Sequence, residues 1–204
     1  IGATETALHC LLLDRLTQFQ KEHPDVKIRI SNGPSAQVLS DMKEGRTDLA
    51  VIPTPFQIEK PYVSVRLRQI RRVLVGGPRF AHLCSTPVRL SDLKQYPLAG
   101  LSSSTMSYRF YEDFFAAHGL TLHYDIEMAN ADLLLPVAMH DLGLAFVPEK
   151  LVADALEQKK LFSIPLVEEI PLRYVCLVRD PGRPLGAATR CLLELLMKER
   201  APQN

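Results

Sequence analysis

Four short polar turns, each between a predicted strand and a predicted helix, hold the residues with the clearest chemical potential. They are Thr4-Glu5-Thr6, Asn32 to Ser35, Ser102 to Thr105, and Asn130 to Asp132. In each turn, hydroxyl or amide side chains stand beside backbone N–H groups that have no partner within the helix. Those N–H groups and the partial positive charge of a helix start suit a carboxylate, sulfate or phosphate. The turns therefore predict binding of a small anion.

A purely structural role explains the same residue types. Ser, Thr, Asn and Asp are the preferred N-caps of any helix, with or without a ligand. The run from Ser102 to Thr105 has more hydroxyls than one cap requires. It is therefore the strongest single candidate for ligand binding.

Patterns typical of catalysis or metal binding are missing from the sequence. It contains no GxSxG, no phosphate-binding glycine loop and no HExxH, and its histidines have no recognised ligand spacing. We expect no catalytic residues, no metal and no cofactor. The four cysteines form no CxxC pair, which indicates free thiols. Cys10, near the first helical turn, could be a redox sensor, but an inert thiol is favoured because no resolving cysteine lies nearby.

Composition limits the classes of partner. The 204 residues carry a net charge of +1, so the chain lacks the basic excess that drives binding to nucleic-acid backbones. Its densest basic cluster is Arg66, Arg68, Arg71 and Arg72, which could hold DNA or an anionic effector. The solvent face of a strand is the favoured interpretation, because Arg66 and Arg68 alternate with apolar residues. No 18-residue apolar run and no signal-peptide pattern occur. We expect a cytoplasmic protein without membrane attachment, and a fragment or processed chain, since it begins at Ile1 within an apparent strand.

Hydrophobic periodicity predicts the elements that hold these turns. For the first part of the chain it predicts a helix over 6–22, a strand over 26–30, a helix through Val38 and Met42 ended by Gly45, a buried strand over 49–52 and an extended segment over 62–75. For the rest it predicts strands at 98–101, 124–128, 144–147 and 174–178, a helix from the Ser102 turn to His118 closed by Gly119, and helices over 132–140 and 185–200.

Alternation of strands and helices is typical of parallel sheets flanked by helices. The pattern occurs twice, and the last elements return to the first lobe. The sequence therefore predicts an α/β protein with one lobe interrupted by another. We place lobe I at 1–77 plus 180–204 and lobe II at 78–179.

Motifs along the whole chain resemble a known family. They are Ile1-Gly2-Ala3-Thr4, FQKEHPDV from Phe19, GRTDLAV from Gly45, and LGLAFVP from Leu142. In this order they resemble the effector-binding domains of LysR-type transcriptional regulators. The resemblance implies two Rossmann-like lobes with mixed sheets, in the type 2 periplasmic-binding-protein-like architecture. It also implies a small effector between the lobes, a winged helix-turn-helix upstream that alone contacts DNA, and a homodimer or tetramer.

The resemblance also implies which residues contact the effector. In the family, hydroxyl residues after the first strand do so, and Thr4 and Thr6 occupy that position. The full set of expected effector-binding residues is Thr4, Glu5, Thr6, Gly33, Ser35, Pro53, Thr54, Ser102, Ser103, Ser104, Thr105, Asn130 and Phe146. Two positions depart from the family: Asp141 stands where glycine is frequent, and Pro136 lies inside a predicted helix, which must start late or kink.

Other functions fit the same fold. A solute-binding protein of a transporter would need a signal peptide or lipid-anchor cysteine upstream, whereas a regulator needs a helix-turn-helix there. An enzyme, such as a lyase, would turn over its bound compound. If the domain dimerises, Leu8, Leu12 and Leu16 on the first helix are candidates for the interface, although packing in the core of the domain also explains them.

Overall fold

A computed structural model describes residues 1–200. These residues form two compact units. Unit 1 contains Ile1–Ile70 and the chain from Arg173 onward, and unit 2 contains Arg71–Leu172. The last four residues of the expected lobe I, 201–204, lie outside the described residues.

Residues 1–200 contain ten strands, which form two sheets of five strands each. In chain order they are β1 (Gly2–Ala3), β2 (Ser31–Asn32), β3 (Ala50–Pro53), β4 (Val63–Ile70), β5 (Arg72–Gly76), β6 (Leu98–Leu101), β7 (Ile126–Met128), β8 (Leu144–Pro148), β9 (Phe162–Ile164) and β10 (Arg173–Arg179).

In the described part of the chain, seven α-helical segments flank the sheets. They are α1 (Glu5–Ala7), α2 (Leu13–Glu22), α3 (Ser35–Lys43), α4 (Met106–Ala117), α5 (Leu134–Met139), α6 (Ala153–Glu157) and α7 (Ala187–Met197). A π-helical segment, Leu8–Leu12, joins α1 to α2 in one helical run. Short 3-10 helices lie at Pro78–Cys84, Leu90–Gln95, Ala131–Leu133 and Glu149–Leu151.

The sheet of unit 1 has the strand order β2-β1-β3-β10-β4. β1 pairs in parallel with β2 and β3, and β10 runs antiparallel between β3 and β4. Every residue of β3 is buried because helices cover both sides of the sheet. The helical run from Glu5 and helix α7 pack on one side, and α3 packs on the other.

The sheet of unit 2 has the order β7-β6-β8-β5-β9. β6 is parallel to β7 and β8, whereas β5 is antiparallel to β8 and β9. Aromatic residues of α4 pack on one face, and α5 and α6 cover the other. The predicted α/β class, with two mixed sheets and one lobe interrupted by the other, is confirmed.

The unit boundaries correct the expected division at 77/78 and 179/180. β5 lies in unit 2 because it pairs with β8 and β9, and β10 lies in unit 1 because it pairs with β3 and β4. The sequence pattern identified both strands as extended. It could not show which sheet each one joins, because pairing is decided by residues far away along the chain.

The first helix buries two of the three residues considered for a dimer interface. Leu12 is fully buried and Leu16 is 7% exposed, both in the core of unit 1, whereas Leu8 is half-buried against the same core. The structure therefore assigns Leu12 and Leu16 to the core, and a dimer contact through Leu8 stays a prediction. Within the π-helical segment, the carbonyl of Cys10 accepts a hydrogen bond of 2.9 Å from Arg68 on β4. Arg68 also pairs with Glu199, just after α7.

The strand predicted over 26–30 is reduced to β2, which has only Ser31 and Asn32. Its neighbour β1 also has only two residues. The last hydrogen bonds between the two segments run from the N–H of Ser31 to the carbonyl of Ile1, and from the amino group of Ile1 to the carbonyl of Arg29. The residues before Arg29 alternate in exposure like a strand but have no strand beside them.

Two departures from the family pattern have local explanations. Asp141 has a left-handed backbone (φ 59°), which aspartate tolerates better than most residues, and glycine best of all. Its carboxylate also accepts the N–H of Arg79 at 2.8 Å. The helix predicted over 132–140 starts late, after a 3-10 turn, so Pro136 is only the third residue of α5. In the first turn of a helix the backbone N–H groups have no partner within the helix, so proline is tolerated there.

We expect Gly100→Ala to destabilise the protein. A Cβ atom on Gly100, in β6, would lie 2.1 Å from the ring of Tyr124, which is buried and cannot move aside. Overpacking of this kind costs about 1–3 kcal/mol. Urea unfolding of the variant and the wild type measures the loss.

Gly182→Ala is the matched control for this prediction. Gly182 is exposed in a turn, its φ is not positive, and the nearest atom to an added Cβ is Oδ1 of Asp180 at an ordinary contact distance of 3.4 Å. Its free energy of unfolding should change by less than about 0.5 kcal/mol. Equal effects of the two substitutions would contradict the packing described for Tyr124.

Candidate functional site

Two of the four predicted turns, and the residue that follows β3, lie at one edge of the sheet of unit 1. β1, β2 and β3 are parallel, so their carboxyl ends meet at this edge. The N–H of Thr4 bonds to Val51, and the N–H of Gly33 bonds to Ala3, both at 3.3 Å. Thr4, Gly33 and Thr54 therefore follow three strands at the same edge of the sheet, β1 lying between β2 and β3. This is the edge at which open α/β sheets bind ligands.

The two helices that begin at this edge differ in how their first turns are capped. Thr4 is buried and accepts the N–H of Ala7 at 3.2 Å, so it caps α1. Thr6 is also buried, and Glu5 is half-buried. Helix α3 begins differently: its N-cap is Pro34, which makes no side-chain bond, and Ser35 is its first residue. The N–H groups of its first turn are thus not occupied by a capping side chain.

Pro53 and Thr54 are involved in strand pairing. Thr54 makes two hydrogen bonds with the backbone of Tyr174. Its N–H donates to the Tyr174 carbonyl at 2.9 Å, and its Oγ1 accepts the Tyr174 N–H at 3.0 Å. The carbonyl of Thr54 also accepts Nε of the fully buried Arg173. Pro53 is buried in β3 opposite Val175. These bonds account for Thr54 as a structural residue of the sheet edge.

Unit 2 brings its two predicted turns together in the same way. β6 and β7 are parallel, and the N–H of Ser102 bonds to the carbonyl of Met128 at 3.0 Å. Asn130, two residues after Met128, therefore stands beside the Ser102 turn. Its Oδ1 accepts the N–H of Asp132 at 2.8 Å and caps the following 3-10 turn.

The hydroxyl run divides into a cap and a more exposed part. Thr105 caps α4, because its Oγ1 accepts the N–H of Tyr108 at 3.1 Å and donates to the carbonyl of Ser102 at 2.9 Å. The hydroxyls of Ser102 and Ser104 lie 3.1 Å apart. Ser103 and Ser104 are exposed. One hydroxyl is enough for the cap, so the others remain available to a ligand.

Phe146 lies in the core of unit 2 and not in a turn. It is 2% exposed, and its ring stacks on that of Tyr111 with centroids 4.6 Å apart. Its position lies within the strand predicted over 144–147, and every residue of β8 is buried. Contact between Phe146 and an effector stays a prediction.

The arginine cluster has four different environments. Arg66 lies over the ring of Tyr174, Arg68 pairs with Glu199, and Arg71 is exposed. Arg72, however, is only 8% exposed. The prediction that the cluster lies on the solvent face of a strand is therefore wrong for Arg72. The one signal in the sequence is that Arg72 directly precedes the apolar run Val73 to Val75.

No disulfide joins the four cysteines, and Cys10 and Cys176 are buried. Burial raises the pKa of the Cys176 thiol to about 11, so it is protonated at neutral pH. Within residues 1–200, no three His, Cys, Asp or Glu side chains are grouped to hold a metal ion. The same residues include no helix that is long and apolar enough to cross a membrane.

The chain is similar to known regulators in sequence. It is 28% identical over 156 residues to the HTH-type transcriptional regulator CysB of Burkholderia cenocepacia. The aligned residues cover 74% of this chain and 50% of that protein. It is 24% identical over 169 residues to the HTH-type transcriptional regulator PgrR of Escherichia coli, with 80% and 55% covered. The chain thus spans about half the length of these relatives.

Solved structures share the fold. The effector-binding domain of QuiR in complex with shikimate superposes with a TM-score of 0.82 at 15% identity and covers 97% of this chain and 93% of its own. The regulatory domain of CcmR from Synechocystis in complex with 2-PG superposes with a TM-score of 0.83 at 13% identity and covers 97% and 94%.

A family model described as the LysR substrate binding domain matches residues 1–201, nearly the whole chain. The named relatives are transcriptional regulators and not enzymes. The chain belongs to the LysR substrate-binding domain family and is a ligand-binding regulatory domain.

Proposed function

We propose that this domain senses a small anion, most simply a carboxylate, bound between its two units. The observation that supports the proposal is the gathering of polar turns at one sheet edge within each unit. Thr4 and Gly33 meet in unit 1, and Ser102 and Asn130 meet in unit 2. A ligand that touched both edges would join the two units.

The chemistry of the turns supports an anion. Helix α3 starts without a capping side chain, and α4 starts beside exposed serine hydroxyls. Both helices direct partial positive charge toward their turns. Backbone N–H groups and hydroxyls would donate to the oxygens of a carboxylate. In addition, QuiR and CcmR, which share the fold, are described in complex with shikimate and 2-PG.

Regulation would follow from differential binding. If the effector binds one arrangement of the two units more tightly than another, it shifts the equilibrium between them by that difference in affinity. In this proposal the domain acts in the cytoplasm as part of a homodimer or tetramer. The shift then passes to a DNA-binding winged helix-turn-helix domain upstream of this chain.

A thermal-shift screen of small carboxylates and inorganic anions tests the proposal. An effector at 100 times its Kd should stabilise the wild type by about 2.7 kcal/mol. The double variant Thr4→Ala, Ser103→Ala should lose most of that shift, measured against its own unliganded melting temperature.

The matched control for this screen is Thr17→Ala, Ser85→Ala. It also removes one threonine and one serine hydroxyl, one in each unit, and both bond only to local carbonyls away from the turns. It should keep the full shift. A hit whose shift survives Thr4→Ala, Ser103→Ala would show that the ligand binds elsewhere.

Stability measurements separate capping from ligand contact in the hydroxyl run. Thr105→Ala removes the cap of α4 and should cost about 1 kcal/mol without any ligand. Ser103→Ala removes an exposed hydroxyl and should change the free energy of unfolding by less than about 0.5 kcal/mol. A loss of similar size in Ser103→Ala would mean that Ser103 is structural and is not held free for a ligand.

A further inference from the structure

A cavity of about 380 Å³ in unit 2 is separate from the four turns. It lies where β5 begins and β8 and β9 end, because Arg72 pairs with Pro148 and Leu74 pairs with Ile164. Its volume is in the range of small-molecule sites. Apolar residues, among them Leu74, Ile164 and Leu166, line part of it.

Arg72 is a buried cation without a counter-ion in this cavity. Its guanidinium makes one long hydrogen bond, 3.4 Å from Nη1 to the carbonyl of Phe146, and lies over the ring of Tyr111 at 5.7 Å. Its Nε is buried and has no hydrogen-bond partner in residues 1–200. No carboxylate of these residues forms an ion pair with it. A charge buried in this way costs free energy unless an anion reaches it.

Carboxylates line the same cavity at other points. Glu149 and Glu169 are exposed, and Glu168 is half-buried with one oxygen accepting the N–H of Leu90 at 2.8 Å. With Arg71 and Arg72, the lining thus has three carboxylates and two guanidinium groups. A simple anion attracted by Arg72 would be opposed by the glutamates. A ligand with both charges would meet complementary groups at each end.

We propose that this cavity is a second ligand site, which binds a small zwitterion of the α-amino acid type. The carboxylate of the ligand binds Arg72, its ammonium group binds Glu149 and Glu169, and an apolar side chain packs on Leu74 and Ile164. The site goes beyond the effector role proposed above. β8 separates β5 from β6, which puts the strand of Arg72 about 10 Å from the strand that leads to Ser102.

Isothermal titration calorimetry of the 204-residue chain tests the site, with L-leucine, L-methionine and L-phenylalanine as probes. We expect at least one of them to bind. Its N-acetyl and methyl-ester derivatives, which lack one of the two charges, should bind at least about tenfold more weakly, since hydrogen bonds to charged groups are the strong ones. No binding by any of the three amino acids, or equal binding by the derivatives, overturns the proposal.

Arg72→Leu separates a ligand role from a structural one. Removing an unpaired buried charge should raise the melting temperature of the unliganded protein and abolish amino-acid binding. Glu169→Gln should weaken binding without changing stability, because Glu169 is exposed. The control Arg66→Ala, at an exposed arginine of unit 1, should keep binding unchanged. A fall in melting temperature in Arg72→Leu together with unchanged binding would show that Arg72 is only structural.

The Thr4→Ala, Ser103→Ala variant makes the two proposals independent. It should bind the amino acid as the wild type does, although it no longer responds to the effector. Loss of amino-acid binding in this variant would show that the two sites are one and would overturn the second site.

Discussion

Parallel pairing between short, buried strands is the interaction on which both units depend. β1 has only two residues, yet it pairs with β2 on one side and β3 on the other, and β6 does the same between β7 and β8. Parallel strands place their carboxyl ends at one edge. Each helix that follows such a strand therefore starts at that edge. The polar turns of each unit lie close together because of this backbone geometry. Their side chains determine only which ligand could bind there.

Capping and ligand binding use the same residue types, and the structure separates them by position. Thr4, Thr105 and Asn130 accept N–H groups of the chain itself, so their oxygens are partly occupied. Ser103 is exposed, and α3 starts with no capping side chain. A ligand that binds through backbone N–H groups and spare hydroxyls needs few dedicated side chains.

Local features of the fold could be predicted from the sequence, whereas long-range ones could not. Gly45 and Gly119 end their helices with positive φ, as expected from their positions after amphipathic runs. The strand over 26–30 and the sheets joined by β5 and β10 were predicted wrongly, because pairing partners are set by distant segments. The burial of Arg72 has the same origin, because it depends on the pairing of β5 with β8 and β9. β9 has only three residues and gave no periodic signal.

The central claim is that one effector contacts turns in both units. Hydrogen–deuterium exchange of the 204-residue chain, with and without a saturating carboxylate from the screen, measures the backbone N–H groups that the claim invokes. The account predicts slower exchange at the start of α3, near Ser35, and in the turn from Ser102 to Thr105. Protection confined to the turns of one unit, or to neither, would contradict it.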